Sequence, residues 1–411
     1  MKKSDLYNFD EIIARRGTSS MKWDKYSGRD VIPLWVADMD FLSPPAVIDA
    51  LSKRVKHGIF GYTLPPDELS GIVISMLEEE YGWKIEKEWI VWLPGLVTGI
   101  NVVCRAVGED GDDVMTAVPV YPPFLTVPGN SRRNLIKTHL VETNGKWGFD
   151  FESMEKAITK RTRLFLLCNP HNPVGRVYNR DELNSLASIC SRHDIIISSD
   201  EIHCGLLLDK QKRHIPTATL SPETENRTVT LMAPSKTFNV PGLGCSFAAI
   251  SNPDLRKRFT KAMTGIVPRV NILGYTAAAA AYRESHEWHR ALLKYLRGNR
   301  DLVLDSVNRM PGFSAGEVEA TYLAWIDTRR SGIKDPVKFF EDAGVGLFDG
   351  KEFGTPGFVR LNFGCPRSLL ANALERMATA VKKHAEGTFE VRCTHRKLRR
   401  GGPQTTGTHN V

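Results

Sequence analysis

The chain has 411 residues, 42% hydrophobic and 25% charged, with a net charge of +8. That balance fits a globular chain with a sizeable core in two or more domains, and excludes low-complexity and fibrous classes. A bilayer crossing takes about 20 consecutive apolar residues, and no such run occurs.

Seven cysteines, at 104, 168, 190, 204, 245, 365 and 393, are scattered without a Cys-x-x-Cys pair. Neither a zinc site nor a disulfide framework is expected, and a reducing cytoplasm fits best. Met1-Lys2-Lys3-Ser4-Asp5 is not followed by an apolar stretch, so no secretory leader is expected. After Gly387, five basic residues (Arg392, Arg396, Lys397, Arg399, Arg400) face only Glu390, which places about half the excess charge in the tail. The rest is mildly basic, and nucleic acid is not an expected partner.

In chain order, helices are expected over Pro45–His57 and Pro66–Tyr81, and from Gly95 through Ala106. Strands follow at 113–118 and 163–168, then a helix over Arg180–His193 and a strand at 195–199. Further strands are expected at 229–232 and 245–250. Apolar strands alternating with helices predict a mostly parallel sheet covered on both faces. Beyond Ala291 a long helix, strands at 321–326 and 358–363, and a helix over Ser368–His384 predict a smaller α+β unit. The expected division is an N-terminal segment (1–44) joining the small domain, a large domain (45–288), a C-terminal small domain (289–385) and a basic disordered tail (386–411).

Three polar tips follow strand-like runs: Asn169-Pro170-His171-Asn172-Pro173, Ser199-Asp200-Glu201-Ile202-His203 and Ala233-Pro234-Ser235-Lys236-Thr237. Parallel sheets place ligands at such ends. An amine, a carboxylate and an amide gathered there suit pyridoxal 5'-phosphate (PLP). Lys236 offers the amine for a Schiff base, which requires its ordinary pKa of about 10.4 to be lowered. Asp200 offers a buried carboxylate to keep the pyridine nitrogen protonated; taken alone it also reads as a helix N-cap. Asn172 and His203 offer donors to the ring hydroxyl, although His203 by itself reads as an ordinary histidine. Helix-opening Gly95-Leu96-Val97-Thr98, with Ser235, offers N–H groups and hydroxyls to a phosphate. Tyr121 is a candidate to stack on the ring, with a core tyrosine as its other reading.

These segments resemble the fold type I PLP enzymes, the aspartate aminotransferase superfamily. More narrowly, Leu34-Trp35-Val36-Ala37-Asp38-Met39-Asp40-Phe41, His57-Gly58-Ile59-Phe60-Gly61-Tyr62-Thr63 and Phe358-Val359-Arg360-Leu361-Asn362-Phe363-Gly364-Cys365-Pro366-Arg367 resemble the MalY/PatB cystathionine β-lyase branch. The resemblance runs from about Phe9 to His384. It implies an α/β fold with a mostly parallel seven-stranded sheet between helices, and a small α+β domain. Lys236 would hold the cofactor, Asp200 the pyridinium, and Asn172 and His203 the ring oxygen, with Tyr121 stacked on the ring. Phosphate would meet the Val97 and Thr98 backbone, Ser235, and Tyr62 from a second subunit of a homodimer. Arg360 would pair the substrate α-carboxylate two-pronged, with the Trp35–Asp38 backbone, Trp35 and Ala37 included, closing over it.

One departure stands out. Many aminotransferases carry an arginine eight residues after the lysine, where this chain has Gly244. The implied activity is β-elimination at an L-cysteine S-conjugate such as L-cystathionine, giving a thiol, pyruvate and ammonia. An amino-acid aminotransferase is the alternative. A PLP-binding regulator is disfavoured, since the lysine is present and the segment before Phe9 is too short for a DNA-binding domain.

Overall fold

The computed structural model describes residues 7–400, with side chains described through residue 386. A central eight-stranded sheet is built from β2 (Ile90–Leu93), β3 (Asp113–Val118), β4 (Asn134–Thr143), β5 (Lys146–Phe149), β6 (Thr162–Cys168), β7 (Ile196–Asp200), β8 (Thr228–Met232) and β9 (Ser246–Ala249). Its order is β2-β9-β8-β7-β6-β3-β4-β5. The strands from β8 to β4 are parallel neighbours, whereas β9 runs antiparallel to both β8 and β2.

The sheet therefore has eight strands, not the expected seven. The extra strand, β5, folds back antiparallel on β4 through Asn144-Gly145, both at positive φ, a two-residue loop that matches strand twist. Being buried on both faces explains why β3, β6 and β8 read as largely apolar runs. Helices Leu96–Ala106 and Pro253–Met263 pack on one face with Val103, Leu164, Val229 and Phe259. Helix Arg180–Arg192 covers the other with Leu183, Leu186, Phe165 and Ile197.

A smaller sheet orders β10 (Ser314–Ala315), β11 (Leu323–Asp327), β14 (Phe358–Asn362) and β13 (Phe348–Asp349), all antiparallel. The N-terminal segment is stitched to this region. Its strand β1 (Ile32–Pro33) pairs in parallel with β12 (Val345–Gly346). Phe9, Leu34, Met39 and Phe41 share one core with Leu292, Val303, Phe340 and Leu361.

Two boundaries differ from the sequence reading. Helix His286–Asn308 begins before residue 289, because Trp288 and Leu292 are already core positions of its apolar face. The last helix runs Arg367–Arg400, past the Glu386 where order was expected to end. That stretch holds no proline, and its one strong helix breaker is Gly387, so nothing local stops the backbone. The tail beyond it, 401–411, lies outside the described residues. Among the described residues, no helix is long and apolar enough to cross a membrane.

Candidate active site

Three neighbouring parallel strands end at one edge of the large sheet. β6 is followed by Asn172, β7 terminates in Asp200, and β8 is followed by Lys236. From the small sheet, β14 contributes Arg360, and residues 35–41 of the N-terminal segment close the cleft between them.

Lys236 Nζ donates to the Ala37 carbonyl at 2.6 Å. Its pKa falls to about 8, through desolvation first and the nearby Arg360 cation second, with Asp38 and Asp200 opposing. Asp200 is buried and its carboxyl accepts a hydrogen bond from the Ile202 N–H at 3.1 Å. Burial lifts its pKa to about 7. A buried carboxylate with one amide partner and, among the described residues, no cation in contact is a site built for a positive group.

His203 is buried with Nδ1 unpartnered, and burial together with Lys236 and Arg360 drops its pKa to about 3, so the imidazole is neutral. Tyr121 is partly buried and lies within the fields of Arg360 and Asp200; burial raises its pKa. These groups fit a pyridine aldehyde phosphate. They provide an amine poised near neutrality, a carboxylate lacking a cation, an orphaned ring nitrogen and an aromatic face.

Arg360 is fully buried on β14, and among the described residues no carboxylate pairs with it. Its Nη1 donates to Asn172 Oδ1 at 3.0 Å and its Nη2 to the Trp35 carbonyl at 2.8 Å, while Nε has no partner. Desolvation lowers its pKa to about 10, leaving it a cation at neutral pH. An uncompensated buried cation calls for an anion from outside.

Val97 and Thr98 open helix Leu96–Ala106 behind an extended Gly95, so their N–H groups fall in the first turn, where they lack helical acceptors. Ser235 adjoins Lys236 in the turn after β8. Gly244 has φ +59, and a Cβ there would lie 2.9 Å from the Pro94 carbonyl. No arginine fits at that position without rebuilding the backbone. Tyr62 stands apart from the other candidates, fully exposed on the segment between Gly58 and Pro66.

Several positioning groups escaped the sequence reading. Tyr322 OH donates to the same Ala37 carbonyl at 2.9 Å. Asn239, at φ 54 in the lysine loop, donates to the Met39 and Phe41 carbonyls and accepts from the Met39 N–H. Asn362 donates to the Val36 and Asp38 carbonyls. Behind them the fully buried Lys22 pairs with Asp40 at 2.7 Å, and Arg15 with Asp38 at 2.8 Å. Despite burial, these cations and Trp23 hold the Asp40 carboxyl below its usual range.

The chain belongs to the aminotransferase class I and II family, whose model matches residues 29–377. It is 36% identical to the cystathionine β-lyase PatB of Bacillus subtilis (strain 168) over 386 residues, which are 91% of this chain and 100% of PatB. Among solved structures, OvoB superimposes with a TM-score of 0.90 at 47% identity, covering 91% of this chain and 99% of OvoB. Cystalysin from Treponema denticola, solved with pyridoxal 5'-phosphate, superimposes with a TM-score of 0.87 at 35% identity, covering 92% and 99%.

Proposed function

We propose that the protein is a PLP-dependent carbon–sulfur β-lyase that splits L-cystathionine or a related L-cysteine S-conjugate into a thiol, pyruvate and ammonia. The observation that carries this reading is the pairing of two uncompensated groups in one cleft: Asp200 awaiting a cation and Arg360 awaiting an anion. The likeness to PatB and cystalysin supports the lyase branch over transamination.

When bound, PLP supplies an electron sink for the charge left at the substrate Cα. Asp200 holds the proton on the ring nitrogen. Asn172, through its amide NH2, and His203 would hold the ring oxygen, and Tyr121 would pack on the ring. The Val97 and Thr98 N–H groups, the Ser235 hydroxyl and Tyr62 of a second copy take the phosphate. Arg360 fixes the α-carboxylate, with Trp35 and Ala37 closing over it. Lys236 would hold the cofactor covalently until a substrate amine takes its place. Its ε-amine then takes the α-proton, and a pKa near 8 suits it to that work at neutral pH. The Cβ–S bond breaks with its electron pair leaving on sulfur as thiolate.

The working unit in this reading is a cytoplasmic homodimer. Ile59, Phe60, Tyr62 and Leu64 form a contiguous exposed apolar stretch, the kind of surface a second copy covers. The six cysteines among residues 7–386 are free thiols, as a reducing compartment would keep them. The test is incubation with PLP and L-cystathionine without a 2-oxo acid. Sustained release of thiol and pyruvate is expected. An absolute requirement for a keto acceptor would overturn the lyase reading in favour of an aminotransferase.

A further inference from the structure

Arg360 raises a physical problem of its own. A guanidinium buried this completely is expensive unless something compensates it. An acidic neighbour would do so, but it would also cancel the charge a carboxylate ligand needs. The neutral acceptors Asn172 Oδ1 and Trp35 O meet two of its N–H groups. Two aromatic rings also lie against it. Its Cζ lies 5.0 Å from the ring centroid of Phe348 and 4.8 Å from that of Phe353.

These two rings are themselves 5.0 Å apart at 75°. Three nearly equal separations place both rings on one side of the guanidinium as a corner. β13 and β14 fix that corner, since Phe348 is the antiparallel register partner of Arg360. The Phe348 ring also meets the Trp35 ring edge-on at 6.0 Å and 88°, bracing the residue whose carbonyl accepts from Arg360. Phe353 is completely buried against Trp325, whereas Phe348 is only partly buried.

We infer that Phe348 is a positioning residue for substrate recognition: its ring supports the Arg360 cation without neutralising it and braces Trp35, so that Arg360 meets the α-carboxylate already charged and aimed. This rests on the reading of Arg360 as the carboxylate anchor. A desolvated cation–π contact supports the cation and not the reacting bond, so the ring acts on ligand binding far more than on the bond-breaking step.

The experiment compares Phe348→Leu, Phe348→Met, Phe348→Tyr and Arg360→Lys as PLP-loaded holoenzymes. It measures KM and kcat for L-cystathionine and, by calorimetry, the Kd of propionate as a bare carboxylate. Phe348→Leu and Phe348→Met are expected to raise KM and propionate Kd together by about tenfold, equal to about 1.4 kcal/mol, with kcat changed less than about threefold. Phe348→Tyr, which keeps the π face, is expected to restore both constants, and the cofactor absorbance is expected to be the same in all three Phe348 variants. Phe348→Met covers the case in which Phe348→Leu fails to fold. Unchanged KM and Kd in the aliphatic variants while Arg360→Lys raises both would refute the role of Phe348 and leave the anchor standing. Unchanged constants in Arg360→Lys would refute the anchor itself. A kcat loss in the aliphatic variants that Phe348→Tyr does not rescue would mark a purely structural ring and also overturn the inference.

Discussion

Replacing Asp200 by asparagine should move the cofactor-free and the cofactor-loaded protein in opposite directions. In the cofactor-free chain, burial raises the Asp200 pKa from 3.8 to about 7. Between those values the unfolded chain binds fewer protons than the folded one, so stability falls as pH rises through that window and levels off above it. At about 1.4 kcal/mol per unit, the loss reaches roughly 4 kcal/mol by pH 8 and about 1.7 kcal/mol at pH 5. The asparagine removes the charge yet keeps an acceptor for the Ile202 N–H.

An unfolding entropy of about 2.1 cal/mol/K per residue gives roughly 0.9 kcal/mol per degree for a chain of this length. Stripped of PLP, Asp200→Asn should therefore melt about 5 °C above wild type at pH 8 and about 2 °C above it at pH 5. Loaded protein should show the reverse. Removing one partner of a buried ion pair costs about 3–5 kcal/mol, so PLP should be held more weakly by two to three and a half decades, at about 1.4 kcal/mol per decade. Calorimetric melts at both pH values and a fluorescence titration with PLP read the two effects. A stripped variant no more stable than wild type at pH 8, or an unchanged PLP Kd, would refute the argument.

Lys236→Ala should lower turnover by at least about three decades, as loss of a covalent acid–base residue does, and borohydride trapping should then leave no adduct at position 236. Retention of most activity would contradict the role given to that amine. Tyr62→Ala should weaken PLP retention, and mixing it with Lys236→Ala should restore about a quarter of wild-type activity through hybrid dimers with one intact site. Mixtures no more active than the average of their parents would place Tyr62 in its own subunit's site. Gly244→Ala should lower the urea unfolding midpoint, costing about 1–3 kcal/mol from left-handed strain and the approach to the Pro94 carbonyl. A midpoint equal to wild type would show that the backbone there relaxes freely.

The elements readable from sequence were those whose environment is uniform. β3, β6 and β8 are largely apolar because both faces are covered, and the chemistry-bearing residues sit at or just past the ends of these strands and of β7. β4 was not readable, since Lys137, His139 and Glu142 interrupt a strand near the sheet edge that is partly exposed. Lys236, Asp200 and Asn172 were legible as tips of adjacent strands. Tyr322, Asn239 and Asn362 were not, because their roles exist only in contacts to carbonyls about 200 to 326 positions away. Nothing local distinguishes such a tyrosine or asparagine from its many solvated counterparts.

The short run from Trp35 to Phe41 has a consequence for how events at the two halves of the cleft relate. Its carbonyls are gripped from one side by the lysine loop, through Lys236 and Asn239, and from the other by β14, through Arg360 and Asn362. Arg360 and Lys236, the proposed carboxylate anchor and proton acceptor, thus share one strap of peptide. In the proposed reaction, a carboxylate drawing on Arg360 and an amine resting on the Ala37 carbonyl would therefore act on peptide units only two residues apart in the chain.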